Sequence, residues 1–136
     1  MGDLTRPRAT EPCKHPFTVP DIPSIDLEAI ANLKELNPGD NGEFLREIVA
    51  IYIEDTPKRI TDLKACMVSG DVKTFTRAAH TIKGSSANVG AQILKSLGER
   101  LELISRRDGL ASVASLVADC EAEFARVAVE LRRLAP

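Results

Sequence analysis

At 136 residues the chain has the length of one domain with a single substantial core. Aromatic residues make up only 4% and tryptophan is absent, so that core must be built from leucine, isoleucine, valine and alanine, which favours packed helices over a β-sandwich. A formal charge of −2 excludes a general attraction to nucleic acid or to an anionic membrane, and no apolar stretch is long enough to span a bilayer.

Residues 1–23 hold Pro7, Pro12, Pro16, Pro20 and Pro23 and show no sustained periodicity, which reads as a flexible proline-rich arm. Phe17, Val19 and Ile22 are suited to lay the end of this arm on the domain that follows. Cys13 and His15 are too few ligands for a metal site. Cys13, Cys66 and Cys120 are odd in number and widely spaced, which argues against both a disulfide framework and zinc; Cys66 and Cys120 read as small core hydrophobes. The segment Met1–Arg6 lacks the apolar run of a secretory signal and the hydroxyl residue of a myristoylation motif. The expectation is a free-standing protein in a reducing cytoplasm.

The helical domain is expected to occupy residues 24–136. A first helix should start at Ser24 or Asp26 and end at Leu36, with Ile25, Leu27, Ile30, Leu33 and Leu36 on its apolar side. Asn37-Pro38-Gly39-Asp40 ends it, and Asp40 or Asn41 is placed to cap a second helix with Glu43 near its positive end. Pro57 would ordinarily mark a boundary. Leu45, Val49, Tyr52, Thr56, Ile60, Leu63 and Met67 nevertheless keep three-or-four spacing across it, so one bent helix is favoured over two. Gly70 then suits a left-handed C-cap and Asp71 the next N-cap.

The third helix, running to about Asn88, carries His80, the only imidazole outside the arm. At about 100° per residue, Phe75, Ala78, Ala79, Ile82, Ser86 and Val89 cluster on one stripe, while His80 falls roughly 140° away. His80 therefore faces outward, flanked by Thr76, Lys83 and Ala87 on one side and Lys73, Gly84 and Arg77 on the other. Gly84 stands one turn beyond His80 although glycine in a helix interior costs about 0.5–1 kcal/mol, which points to a need for space. Lys83 is within reach of a group attached to the ring, where its charge would offset that of a phosphoryl group. Neutral imidazole is a competent nucleophile near neutral pH.

Gly90 breaks the chain again before a helix to about Arg106 with Ile93, Leu94, Leu97, Leu101 and Ile104 as its apolar positions. Asp108-Gly109 is the last turn. The final helix has a seam of Val113, Leu116, Val117, Cys120, Phe124, Val127, Leu131 and Leu134, while Glu121, Glu123, Arg126, Glu130, Arg132 and Arg133 are expected on a solvated face. Short connections join antiparallel neighbours, so the expected fold is all-α: an up-down four-helix bundle with the short first helix packed across one end. The seam needs no second chain, and a monomer is expected.

The run His80-Thr81-Ile82-Lys83-Gly84-Ser85-Ser86-Ala87-Asn88-Val89-Gly90-Ala91 resembles the signature of histidine-containing phosphotransfer (HPt) domains. The resemblance extends upstream through Phe44-Leu45-Arg46-Glu47-Ile48, Glu54-Asp55-Thr56-Pro57 and Gly70-Asp71, and covers roughly residues 25–134. It implies a four-helix bundle whose histidine carries a phosphoryl group between aspartates of response-regulator receiver domains in a phosphorelay. By resemblance His80 is the carrier, Lys83 the nearby cation and Gly84 the small residue that gives the phosphoryl group and partner room. Lys73, Thr76, Arg77 and Ala87 would form the docking surface for the receiver domain, including that of a hybrid sensor histidine kinase. No cofactor is expected on this chain, because the divalent metal belongs to the receiver.

Missing motifs support a carrier over an enzyme. There is no GxxxxGK[ST] loop, kinase glycine-rich loop or dinucleotide fingerprint, so nucleotide-dependent kinase activity is not expected. A di-iron bundle would need Glu-x-x-His pairs, but position 77 is Arg77 and the bundle has one histidine. A module that docks receivers through the His80 face without turning over phosphate uses the same surface; an acid-labile, alkali-stable adduct on His80 separates the two readings.

Overall fold

The computed structural model describes residues 24–36, 39 and 42–135, so the arm and the residues named as caps at positions 40 and 41 lie outside it. Five helices follow in order: α1 (Leu27–Leu36), α2 (Glu43–Ser69), α3 (Val72–Asn88), α4 (Gln92–Asp108) and α5 (Ala114–Leu134). Each of the four long helices packs on two others, closing a ring in the order α2, α3, α4, α5 and back to α2. The described part is the expected all-α bundle with a short additional helix.

Local sequence accounts for most boundaries. The Asp26 side chain accepts a hydrogen bond from the Glu28 amide at 3.0 Å, an N-cap that starts α1. Gly42, rather than a capping side chain, precedes α2, with φ of 80°, a left-handed conformation that glycine adopts freely. Glu43 stands in the first turn as expected. The helix then runs unbroken through Pro57, which is exposed, because Leu45, Val49, Tyr52, Thr56, Ile60, Leu63 and Cys66 keep one buried phase on both sides of it. Gly70 closes α2 at φ 80°, and its amide donates to the Cys66 carbonyl; Asp71 then caps α3 by accepting from the Thr74 amide at 3.1 Å.

Gly90 turns the chain between α3 and α4 and also seats α1. Its φ is 77°, and a Cβ there would lie 2.8 Å from the Ala29 Cβ and 2.9 Å from the Asp26 carbonyl oxygen. The Asp26 amide in turn donates to the Gly90 carbonyl at 2.8 Å. α1 is thus fixed to the end of the bundle where α3 passes into α4.

The core is mainly aliphatic around the Phe75 and Tyr52 rings: Phe75, Leu45, Leu63, Ile82, Leu94, Leu97, Leu101 and Leu131 are essentially fully buried. Burial of each such side chain contributes about 1.5–3 kcal/mol. Polar groups inside are mostly paired, as Tyr52 and Ser86 are through their hydroxyls at 2.8 Å across α2 and α3. Burial pushes the Tyr52 phenol up to about 12, against the opposing hydrogen bond with Ser86. Cys120 is wholly buried, and burial raises its thiol to about 12, so it behaves as a small hydrophobe.

Three expectations from periodicity are corrected. Leu27 and Leu36 are 62% and 68% exposed, because so short a helix at the end of the bundle buries only its Ile30 side, with Ile25 just before it. Glu123 is not on the solvated face: it is fully buried, with Oε1 accepting from Arg126 at 2.8 Å. Its Oε2 has no hydrogen-bond partner among the described residues. A carboxylate is tolerated there because Arg126, half exposed, reaches inward over one turn of α5.

Candidate functional site

The site is built on α3, whose inner stripe is the one that helical spacing predicts: Phe75, Ala78, Ala79, Ile82 and Ser86 are buried along the helix, with Val89 just past its end. With that face locked into the core, His80 is held outward, its side chain 63% exposed. The ring is nonetheless fixed on one edge. Nδ1 lies 3.1 Å from Oε2 of Glu102 on α4, a residue whose side chain is only 8% exposed.

Glu102 is the centre of the arrangement. Its Oε1 receives Lys83 Nζ at 2.9 Å, and its Oε2 receives Arg106 at 2.7 Å as well as the imidazole. Burial pushes the carboxyl up, but the hydrogen bonds from Lys83, Arg106 and His80, together with the Lys83 charge, outweigh that and hold it below its ordinary value of 4.5. An ionised carboxylate only accepts hydrogen bonds, so the imidazole nitrogen facing it must be the donor. A neutral His80 held this way carries its proton on Nδ1 and leaves the Nε2 lone pair free. The arrangement therefore presents a nucleophilic nitrogen from a ring that cannot swing away without giving up the contact to Glu102.

Lys83 is thus not a lone ammonium beside the ring. It is paired with Glu102, 29% exposed, on the same side of α3 as His80. Gly84 has helical backbone geometry, and a Cβ built on it would meet nothing within 4 Å, so the space beside the imidazole is open.

An open groove of about 640 Å³ runs beside the histidine, lined by Val72, Lys73, Thr76, Arg77, His80, Glu102 and Arg106. Lys73, Thr76 and Arg77 thus share one concave surface with His80. Ala87 is exposed but does not line this groove; it lies on α3 beyond Gly84. The Thr76 hydroxyl is engaged with Ser105 on α4 at 2.6 Å, tying the two helices together at the groove floor. Among the described residues no group of three or more histidine, cysteine or acidic side chains is placed to hold a metal ion, and no helix is long and apolar enough to cross a membrane.

Sequence reasoning missed Glu102 and Arg106. Read locally they form an ordinary surface pair at i and i+4 on α4. The one sequence signal is phase: Glu102 shares a helical face with Gly98 and Ser105, both buried.

Known proteins resemble this chain in sequence and in fold. The family model described as "Hpt domain" matches residues 47–133, more than half of the chain. Multistep phosphorelay regulator 1 of Schizosaccharomyces pombe is 30% identical over 100 residues, covering 71% of this chain and 34% of the relative. Histidine-containing phosphotransfer protein 2 of Arabidopsis thaliana is 27% identical over 73 residues, covering 52% of this chain and 47% of the relative. The chain spans between about a third and a half of the length of these two relatives. Among solved structures, histidine-containing phosphotransfer protein B from Pseudomonas aeruginosa superposes with a TM-score of 0.76 at 28% identity, covering 83% of this chain and 95% of that one. The HPT domain of a sensor hybrid histidine kinase from Shewanella has the same fold, with a TM-score of 0.65 at 14% identity over 82% of this chain and 92% of that one. The family match over most of the bundle, including the whole of the helix that presents His80, makes this chain a member of the Hpt domain family.

Proposed function

We propose that this protein is a phosphorelay intermediate that accepts a phosphoryl group on His80 from a phospho-aspartyl receiver domain and passes it to another response regulator. Family membership and the phosphotransfer and phosphorelay names of its relatives support this reading. The observation that carries it is the exposed imidazole held by Nδ1 on Glu102, with open space at Gly84 beside it.

In this reaction His80 Nε2 attacks the phosphorus, the bond to the aspartyl oxygen breaks, and the aspartate leaves as a carboxylate. Nδ1 keeps its proton throughout. The ring thereby gains positive charge, which the Glu102 carboxylate balances, and the phosphoryl oxygens come within reach of Lys83. Return of the group to a second receiver reverses these steps, and the charged ring is a good leaving group. Such transfer depends on in-line positioning and charge neutralisation more than on a closed pocket, which suits a rigid bundle with an open groove. The receiver supplies the aspartate and the divalent metal. On this reading the chain needs no nucleotide-dependent kinase activity of its own, and it acts as a cytoplasmic monomer whose donors include the receiver of a hybrid sensor kinase. The cations Lys73, Arg77 and Arg106 along the groove suit an acidic receiver site.

The test is incubation with a phosphorylated receiver domain, followed for an acid-labile, alkali-stable adduct. Wild type should acquire it and His80→Gln should not, while both melt alike because the side chain is exposed. Equal labelling of the two proteins sinks the assignment.

A further inference from the structure

Glu102 reaches His80 and Lys83 across the α3–α4 contact, and in that contact the α4 backbone at Gly98 lies directly against the α3 backbone. Gly98 is buried, one turn before Glu102 on the same face of α4. A Cβ at this position would lie 3.1 Å from the Lys83 amide nitrogen, 3.2 Å from the Ala79 carbonyl oxygen and 3.3 Å from the Lys83 Cα. All three are backbone atoms of α3, at the residue before His80 and at Lys83 itself. Backbone inside a packed helix cannot turn aside as a side-chain tip does, so any side chain here moves one helix off the other. Apart from proline, glycine is the poorest helix former, and here it stands mid-helix with no left-handed turn to make. Its use lies in the spacing.

We propose that Gly98 is a positioning residue for phosphoryl transfer: by letting the α4 backbone rest against α3 at Ala79 and Lys83, it sets the reach of Glu102 and so keeps the His80 proton on Nδ1. The transfer part of this inference rests on His80 being the phosphoryl acceptor; the tautomer part does not. A shift of a few tenths of an ångström falls on hydrogen bonds of 3.1 Å to His80 and 2.9 Å to Lys83, where there is little slack.

The experiment is nitrogen-15 NMR of the two imidazoles in the full chain, with the His80 signals assigned by their loss in His80→Gln, alongside the rate of phosphoryl acceptance from a phosphorylated receiver. Wild type should show His80 with the proton on Nδ1. Gly98→Ala should move that proton toward Nε2 and slow acceptance by roughly tenfold or more. In a Glu102→Ala background the same substitution should add no further slowing, because the contact it acts through is already gone. An unchanged tautomer in Gly98→Ala, or equal slowing in both backgrounds, overturns the proposal and leaves Gly98 a packing residue. Where Gly98→Ala does not fold, Glu102→Asp carries the test, since it withdraws the carboxylate by one methylene and leaves the helix contact intact: a wild-type tautomer and rate in that variant overturn the proposal equally. If wild type takes no phosphoryl group on His80 at all, the functional reading fails, and the tautomer shift in Gly98→Ala still decides the role of the glycine.

Discussion

Glu102 Oε2 lies 3.1 Å from His80 Nδ1, joining residues 22 positions apart on adjacent helices, and the same carboxylate holds Lys83 and Arg106. One buried anion thus orients the imidazole and gathers two cations beside it. Its removal has separable effects on chemistry and on stability.

Glu102→Ala frees the ring and both cations. Phosphoryl acceptance on His80 should fall by roughly tenfold or more, because the ring loses its orientation and the balancing charge. Stability should fall by only about 1–2 kcal/mol, since Lys83 and Arg106 are exposed enough to be hydrated once released. A rate assay paired with a denaturant titration checks both. A normal rate would remove Glu102 from the site.

The same carboxyl makes stability depend on pH with a defined sign. Its folded value is depressed, so its contribution is fully present above the ordinary value of 4.5 and is lost as pH falls through the lower folded value. Wild type should therefore be more stable than Glu102→Gln at neutral pH, and the gap should close in the acid range below 4.5. Urea titrations of the two proteins across that range are the measurement. A gap that widens on acidification contradicts the sign.

Gly84 separates stability from access. Nothing lies within 4 Å of a Cβ at this position and the backbone is helical, so Gly84→Ala should raise stability by up to about 1 kcal/mol. Gly84→Gln should melt no lower than wild type yet transfer phosphate poorly and bind receivers weakly, because its side chain occupies the open space beside the imidazole. Normal transfer in that variant shows that the space is not reserved for access; a much lower melt shows a packing role instead.

Gly90 is the opposite case. Gly90→Ala forces a Cβ into a left-handed conformation and against Ala29 and the Asp26 carbonyl. The backbone strain alone should cost roughly 1–3 kcal/mol, and α1 should loosen from the end of the bundle. Thermal melting with hydrogen exchange at the start of α1 reads both effects. Unchanged protection of the Asp26 amide would show that α1 is held by other contacts.

Much of this protein is written in the periodicity of the chain. The spacing of Phe75, Ala78, Ala79, Ile82 and Ser86 decides which side of α3 is buried and therefore that His80 faces out. Apolar phase carried α2 across Pro57, and Gly70 followed by Asp71 marks the end of one helix and the start of the next, because cap chemistry is local and each residue type satisfies a particular backbone group. Gly84 was identifiable as open space because it shares the face of His80 rather than that of the core.

Charged residues that point inward were not legible in this way. Glu102 and Glu123 look like surface acids with an arginine three or four positions on, and both are buried. Gly98 carries no mark that distinguishes a helix weakness from a close approach, until the Ala79 carbonyl and the Lys83 amide of a different helix stand against it. Helical phase depends on neighbours three and four residues away, so the sequence by itself determined the helices, their buried faces and the outward histidine. Burial of a charge and the distance between two helices depend on groups about 20 positions distant. Only the tertiary structure decided that His80 has an anion behind it, that this anion also holds Lys83, and that a glycine on α4 brings the two helices close enough for both.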